Sequence, residues 1–288
     1  MTIVTQDLYK KYGNQDALKG VNITIPTGMY GILGRNGAGK TTFMRILTTL
    51  IEPNGGRVEM NGIPLLPKNV NKIKAMVGYL PQEFGFYPNF TVRDSLEYIG
   101  LLNKMDSRIL KARIDHILEE VNLIQHTRKK VRQLSGGMKR RLGVAQAILH
   151  EPEILIVDEP TTGVDPEERI ALRNLLSNYS RDKIVILSTH IIEDIASTCN
   201  QIAILDQGRL AFDGEVRSLI KQGEGCVWTA MVYDVEELDL VKKSYPVLST
   251  RFLENGIEIR MISRTRPALE CSPVSPSIED AYMLLLKG

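Results

Sequence analysis

Gly34-Arg35-Asn36-Gly37-Ala38-Gly39-Lys40-Thr41 follows the apolar run Met29–Leu33 and opens a segment, Thr41–Leu50, in which Phe43, Ile46, Leu47 and Leu50 recur at helical spacing. That order of strand, glycine-rich loop and helix decides the fold. The eight residues match G-x-x-x-x-G-K-[ST]. Glycines let the backbone curl so that successive N–H groups face one anion, and the helix beginning near Lys40 adds its positive dipole end. The segment therefore predicts a phosphate cradle. Asn36, Gly37, Ala38 and Gly39 supply the curled backbone, and Lys40 supplies a cation for terminal phosphates. The Thr41 hydroxyl, followed by Thr42, is a candidate ligand of Mg2+.

Working outward, the first 25 residues read as strands around Ile3, Val21, Ile23 and Ile25, with a turn at Gly13-Asn14. Met76–Leu80, Ile154–Val157, Ile184–Leu187 and Ile202–Leu205 are short, wholly apolar runs, as suits a sheet covered on both faces. Helical segments separate most of them, which predicts an α/β domain with a largely parallel core. From about Thr91 to Leu149 no strand pattern occurs. Thr91 and Asp94 are spaced as a capping box, and Leu110, Ile114, Ile117, Leu118 and Val121 form a helical stripe. This stretch is expected to be a helical insertion.

Composition shifts at Gln222-Gly223-Glu224-Gly225. We therefore expect one domain over 1–221, with its helical part at about 91–149, and a small α+β domain over 222–288. In the latter, Cys226–Tyr233, Pro246–Leu253 and Gly256–Ile262 read as strands and Val235–Lys243 as a helix. Arg264–Pro276 reads as a loop. Ser277–Leu286 reads as a last helix, with Ser277 and Asp280 spaced for capping.

The chain of 288 residues carries a formal charge of only +2, which argues against a strongly basic nucleic-acid surface. Its three cysteines, Cys199, Cys226 and Cys271, are odd in number and widely spaced, with no zinc pattern and no disulfide framework suited to a chain this long, so they read as reduced structural thiols. No apolar run approaches the roughly 20 residues that span a bilayer, and the polar start does not read as a signal peptide. Work at a membrane would need a spanning partner.

Leu155-Ile156-Val157-Asp158-Glu159 is an apolar strand ending in two acids. Ligands of α/β sheets bind beyond the carboxyl ends of strands. Asp158 is thus a candidate for the Mg2+ shell and Glu159 for the general base that polarises an attacking water.

Leu134-Ser135-Gly136-Gly137-Met138 precedes a helix marked by Leu142, Ala145, Ile148 and Leu149, just upstream of that acidic strand. With these motifs in this order, Thr2 to Leu219 strongly resembles the ATP-binding cassette family of transporter ATPases. The resemblance implies a P-loop NTPase core with a mixed sheet, an N-terminal antiparallel β subdomain and the helical insertion. It also implies ATP and Mg2+ as ligands. Ser135, Gly136 and Gly137 match the family signature, which closes over the γ-phosphate of ATP held by a partner subunit. Tyr12 falls in a segment similar to the adenine-stacking loop, with Tyr9 as a nearby alternative. Gln82 matches the glutamine that senses Mg2+ and water. His190 matches the switch histidine, placed either to donate to the γ-phosphate or to orient Glu159. His116, His126 and His150 read as structural. Asp165 matches the aspartate of the dimer-contact loop and also reads as a helix N-cap before Pro166. Arg35 stands where many members have proline, and Val164 where leucine is common; neither removes required chemistry.

The implied function is ATP hydrolysis that energises transport through a separate polytopic permease, with the chain peripheral on the cytoplasmic face of the cell membrane. The implied mechanism is head-to-tail closure of two cassettes, identical or paralogous. The stretches Gly78–Gln82 and Ser277–Tyr282 resemble the exporter branch. The aromatic segment Glu83–Asn89, with Phe84, Phe86 and Tyr87, is a candidate docking site, or else packs the insertion onto the sheet. Two rivals stay open: a soluble cassette ATPase acting on ribosomes or nucleic acid, and a kinase using the phosphate loop, which leaves Leu134–Met138 unexplained.

Overall fold

The computed structural model describes residues 1–287. The chain forms two compact units, Met1–Cys199 with Ala203–Leu210, and Asn200–Ile202 with Ala211 onward. The first begins with β1 (Thr2–Tyr12) and β2 (Gln15–Pro26), a hairpin turning at Gly13-Asn14, followed by β3 (Gly28–Leu33) and α1 (Lys40–Leu47). Next come β4 (Gly55–Met60), β5 (Ile63–Pro64), α2 (Val70–Met76) and β6 (Val77–Leu80). The insertion contains α3 (Val92–Leu102), α4 (Ser107–Glu120) and α5 (Gly136–Ile148). The chain then alternates through β7 (Ile154–Asp158), α6 (Pro166–Tyr179), β8 (Ile184–Thr189), α7 (Ile192–Thr198), β9 (Gln201–Asp206) and β10 (Arg209–Glu215).

Two sheets organise this unit. One is antiparallel, in the order β2-β1-β4-β5, with Ile3 opposite Ile25 on one side and Met60 on the other. The other contains β9-β3-β8-β7-β6 in that order, and β3, β8, β7 and β6 are mutually parallel. Helix α1 joins them. Its Phe43, Met44, Ile46 and Leu47 share one buried cluster with Ile3, Leu8 and Ile25 of the first sheet and Ile32, Ile156 and Ile186 of the second. Each such side chain contributes about 1.5–3 kcal/mol on leaving water, so the helix behind the glycine loop is anchored on two sides. The fold matches the α/β class expected, mixed sheet and antiparallel β subdomain included.

The insertion starts as its spacing predicts: Thr91 and Asp94 exchange both bonds of a capping box at α3. Leu110, Ile114, Ile117 and Leu118 of α4 are buried. Among the described residues of this stretch, strand pairing is confined to an isolated bridge between Thr91 and Lys130.

The second unit contains α8 (Val216–Gln222), β11 (Val227–Val232), α9 (Val235–Ser244), β12 (Val247–Leu253), β13 (Gly256–Ile262), β14 (Cys271–Pro273) and α10 (Ile278–Lys287). Its sheet is antiparallel, in the order β12-β13-β11-β14. Ala230, Val232, Ile257, Ile259 and Met261 pack with Leu238 of α9, whereas Val227 and Ile262 pack with Leu284 of α10. The expected loop Arg264–Pro276 contains β14, a strand that proline and serine disguise. No helix among the described residues is long and apolar enough to cross a membrane.

Candidate functional site

Strand register assembles the site. Leu33 pairs with Thr189, and Asp158 with Ser188, so β3, β7 and β8 end side by side. The glycine loop leaves β3, Glu159 leaves β7 and His190 leaves β8 at one edge. Leu80 pairs with Val157, which brings Gln82 to the same edge.

The loop's curl is built by conformation. Gly37 and Gly39 have φ of 81° and 107°, values that L side chains rarely adopt. A Cβ on Gly39 would also stand 2.6 Å from the Ala17 carbonyl. Lys40 is 5 % exposed and donates to the Gly34 carbonyl at 2.7 Å. Burial lowers its pKa, against the pull of the Glu159 and Asp158 carboxylates.

Asp158 is 1 % exposed. Its Oδ2 accepts from the Thr41 hydroxyl at 3.1 Å, while Oδ1 has no hydrogen-bond partner. Burial pushes its carboxyl pKa up, and this outweighs the Ser188 hydroxyl beside it, the hydrogen bond from Thr41 and the nearby Lys40 charge.

Glu159 sits at φ 48°, an uncommon conformation for a residue with a side chain, and its backbone N–H donates to the Ser188 carbonyl. Oε2 accepts from Gln82 Nε2 at 3.4 Å and Thr162 Oγ1 at 3.2 Å, and His190 Nδ1 lies 3.1 Å from it. Oε1 lies 3.8 Å from Lys40 Nζ. One carboxylate oxygen is thus fixed and the other faces the phosphate loop. His190 Nδ1 must carry a hydrogen to meet a carboxylate, which makes Nε2 of a neutral ring an acceptor. Of the two expected roles for His190, this geometry favours orienting Glu159.

A cavity of about 390 Å³ gathers most of the remaining candidates. Tyr12, Asn36, Gly37, Ala38, Gly39, Lys40, Thr41, Thr42, Gln82 and Glu159 line it, together with Gln15, Ala17 and Arg35. Tyr12 is 46 % exposed at the end of β1. Tyr9 lies outside this lining, and its hydroxyl donates to Asp16 at 2.6 Å. Of the two tyrosines, Tyr12 is the one that lines the cavity.

Two candidate groups stand apart from the cavity. Ser135 caps α5, its oxygen accepting from Met138 N at 3.2 Å, and Gly136 and Gly137 open the helix. The Ser135 hydroxyl hydrogen stays available to a ligand. Asp165 occupies the N-cap position of α6 before Pro166, but no capping bond is made by its carboxylate. The position expected from sequence is therefore occupied without the side-chain bond, although the N–H groups of Glu167 and Glu168 stay available to one.

Thr162 was not foreseen. It follows Glu159 by three residues, and the positive φ at 159 turns the chain back far enough for its hydroxyl to reach the carboxylate. Arg140 was not foreseen either, since its partner Gln82 is 58 residues away. Among the described residues no group of three or more His, Cys, Asp or Glu is arranged to hold a metal ion.

The sequence profile of the ABC transporter family matches residues 18–162. The chain is 35% identical to the bacitracin transport ATP-binding protein BcrA of Bacillus licheniformis, over 93% of this chain and 94% of that one. It is 35% identical to Nod factor export ATP-binding protein I of Burkholderia lata, over 77% of this chain and 73% of the relative. Among solved structures it resembles an ATP-binding subunit of an ABC transporter (TM-score 0.69, 26% identity, 77% of this chain and 93% of that one). It also resembles a dimeric ATP-binding cassette in a post-hydrolysis state with ADP and Pi (TM-score 0.66, 26% identity, 74% and 98%). Profile, relatives and the convergence of loop, acids and histidine at one sheet edge agree: the chain belongs to the ABC transporter family, as an ATP-binding and ATP-hydrolysing subunit.

Proposed function

We propose that this ATPase energises export through a separate polytopic transmembrane permease, bound on the cytoplasmic side of the membrane as one of a pair of cassettes. The relatives named for Nod factor export and bacitracin transport support the export reading. A groove of about 600 Å³, lined among others by Phe84, Phe86, Pro88, Val131, Lys139 and Arg140, supports the docking of a permease helix. Apolar rings beside cations suit a partner segment that is apolar with acidic ends. The division of labour follows the sequence: 1–221 is the ATPase, and 222–288 an accessory unit.

In the proposed reaction, Tyr12 stacks on adenine and the backbone of Asn36–Thr42, with Lys40, receives the phosphates. Glu159 Oε1 accepts a proton from the attacking water as its oxygen bonds to the γ-phosphorus and the bond to the ADP oxygen breaks. Gln82, Thr162 and His190 hold the other oxygen of Glu159 during that transfer. Ser135, Gly136 and Gly137 of the second cassette complete the pocket, with Asp165 at the contact between the two.

Mg2+ fits this site. A buried Asp158 oxygen without a donor calls for a cation or its water shell. Thr41, Asp158 and Gln82 would hold it, in keeping with an ion that uses few protein oxygens and relies on substrate phosphates. When bound, it neutralises charge developing on the transferring phosphoryl group.

The observation that carries the proposal is the placement of Glu159, with one oxygen held by Gln82 and Thr162 beside His190 and the other facing Lys40. Glu159→Gln should bind ATP like the wild type, lower turnover by about 10²–10⁴-fold and accumulate a nucleotide-bound dimer on size exclusion. Normal turnover in that variant would falsify the base assignment.

A further inference from the structure

Arg140 lies near the start of α5, the helix that opens with Ser135-Gly136-Gly137. Its Nη1 donates to the Gln82 carbonyl at 2.9 Å. Its guanidinium carbon stands 5.2 Å from the centroid of the Phe84 ring. Nearly one turn along α5, Gly143 offers bare backbone to the same ring: a Cβ there would come within 2.9 Å of Phe84 Cε2 and Cζ. Phe84 is thus held by a cation at one position of α5 and by a glycine at the next turn. The segment carrying Gln82 is tied to α5 at two points, one polar and one apolar. Gln82 in turn reaches Glu159, whereas Arg140 does not line the phosphate cavity.

We infer that Arg140 is a positioning residue for hydrolysis, an arm from α5 that fixes Gln82 and, through it, Glu159. The inference rests on Glu159 acting as the base. Gln82 is exposed on its loop and its bond to Glu159 is long, at 3.4 Å, so small shifts of its backbone decide whether the contact exists. An anchor at its own carbonyl controls those shifts. Arginine suits the task because one planar group donates in its plane and stacks through its face, which an ammonium does not do together. Glu159 and Asp158 act electrostatically on Arg140 and favour its charged form, against the burial that lowers its pKa.

The consequence is a link between two pockets. Ser135–Gly137 is the edge that would meet nucleotide held by a second copy. A displacement of α5 caused by that meeting is carried by Arg140 into the chain's own hydrolytic site. Arg140 also forms one wall of the groove beside Phe84, so a partner seated there touches the same arm.

The test uses the purified full chain, steady-state ATP turnover and binding of a fluorescent ATP analogue. Arg140→Ala should lower kcat about 10- to 100-fold, the scale on which misplacing a reacting group costs rate, with KM and analogue affinity little changed. Arg140→Lys, which keeps the donor and loses the plane, should fall between. Arg140→Ala in a Gln82→Ala background should cause no further loss, because both changes break one chain of contacts. Unchanged kcat, a loss that multiplies with Gln82→Ala, or a parallel loss of analogue binding would each overturn the inference. Should Arg140→Ala melt below the assay temperature, Arg140→Gln takes its place under the same criteria. A wild type without turnover, or a Glu159→Gln variant with normal turnover, sinks the base assignment instead and is visible in the same assay.

Discussion

At the scale of single residues, the site stores an unfavourable charge. Asp158 is almost wholly buried, with one oxygen unpartnered. Burial raises its pKa above the ordinary carboxylate value, despite Ser188, Thr41 and Lys40. For a carboxyl raised on folding, the stabilising contribution is full below the unfolded pKa of about 3.9 and is lost as pH rises through the folded value. At neutral pH the ionised Asp158 therefore works against the fold until a cation meets it. Asp158→Asn should raise the melting temperature of the nucleotide-free chain near pH 7.5, by an amount that shrinks as pH falls through the raised pKa. The same variant should lose the tightening of ATP binding by Mg2+. A thermal scan at several pH values, paired with nucleotide titrations with and without Mg2+, reads both effects. A melting temperature that drops equally at every pH would show Asp158 to be a structural residue.

At the scale of elements, sequence foretold those whose signals are local. Thr91 and Asp94 lie three residues apart and form their capping box; Ser277 and Asp280 do the same at α10. The glycine loop was legible for the same reason, since its curl is written into Gly37 and Gly39. Elements that depend on distant partners were not. β14 exists because Cys271 pairs with Ala230, 41 positions earlier, and its proline and serine content reads as loop. Thr162 and Arg140 were missed because their value lies in what they touch. The C-terminal unit offers a test at this scale. Arg260 forks onto Asp280 with Nε at 2.9 Å and also reaches the Ser275 carbonyl at 2.8 Å, joining β13 to the first turn of α10. Burial would raise the Asp280 pKa, but Arg260 and the Ser277 cap outweigh it and hold the carboxyl below the ordinary range. For a depressed carboxyl the contribution is full above the unfolded pKa of about 3.9 and fades as pH falls through the folded value. Arg260→Ala leaves a buried carboxylate with only its cap and should cost about 3 kcal/mol. Hydrogen exchange should show α10 amides losing protection at neutral pH, and the difference from wild type should narrow in acid.

At the scale of the whole molecule, the two halves of the candidate pocket do not line one cavity of a single chain. Lys40, Thr41, Gln82 and Glu159 line the phosphate cavity, and Ser135 and Gly136 do not. A chain acting alone would have to bring the two halves together within itself, whereas two chains acting head to tail would join them across an interface. Mixing experiments separate these. Lys40→Ala removes the phosphate cation, and Ser135→Arg blocks the signature edge; each alone should be inactive, since every pocket in its own dimer carries the defect. In a mixed dimer formed head to tail, both defects fall in one pocket and the other is whole. Random pairing makes about half of all dimers mixed, each with one intact pocket, so the mixture should recover about a quarter of wild-type turnover. If each chain closes its own pocket, mixing restores nothing. Recovery that grows with total protein concentration would further tie activity to association, as expected if the triphosphate bridges Lys40 of one chain and Ser135 of another.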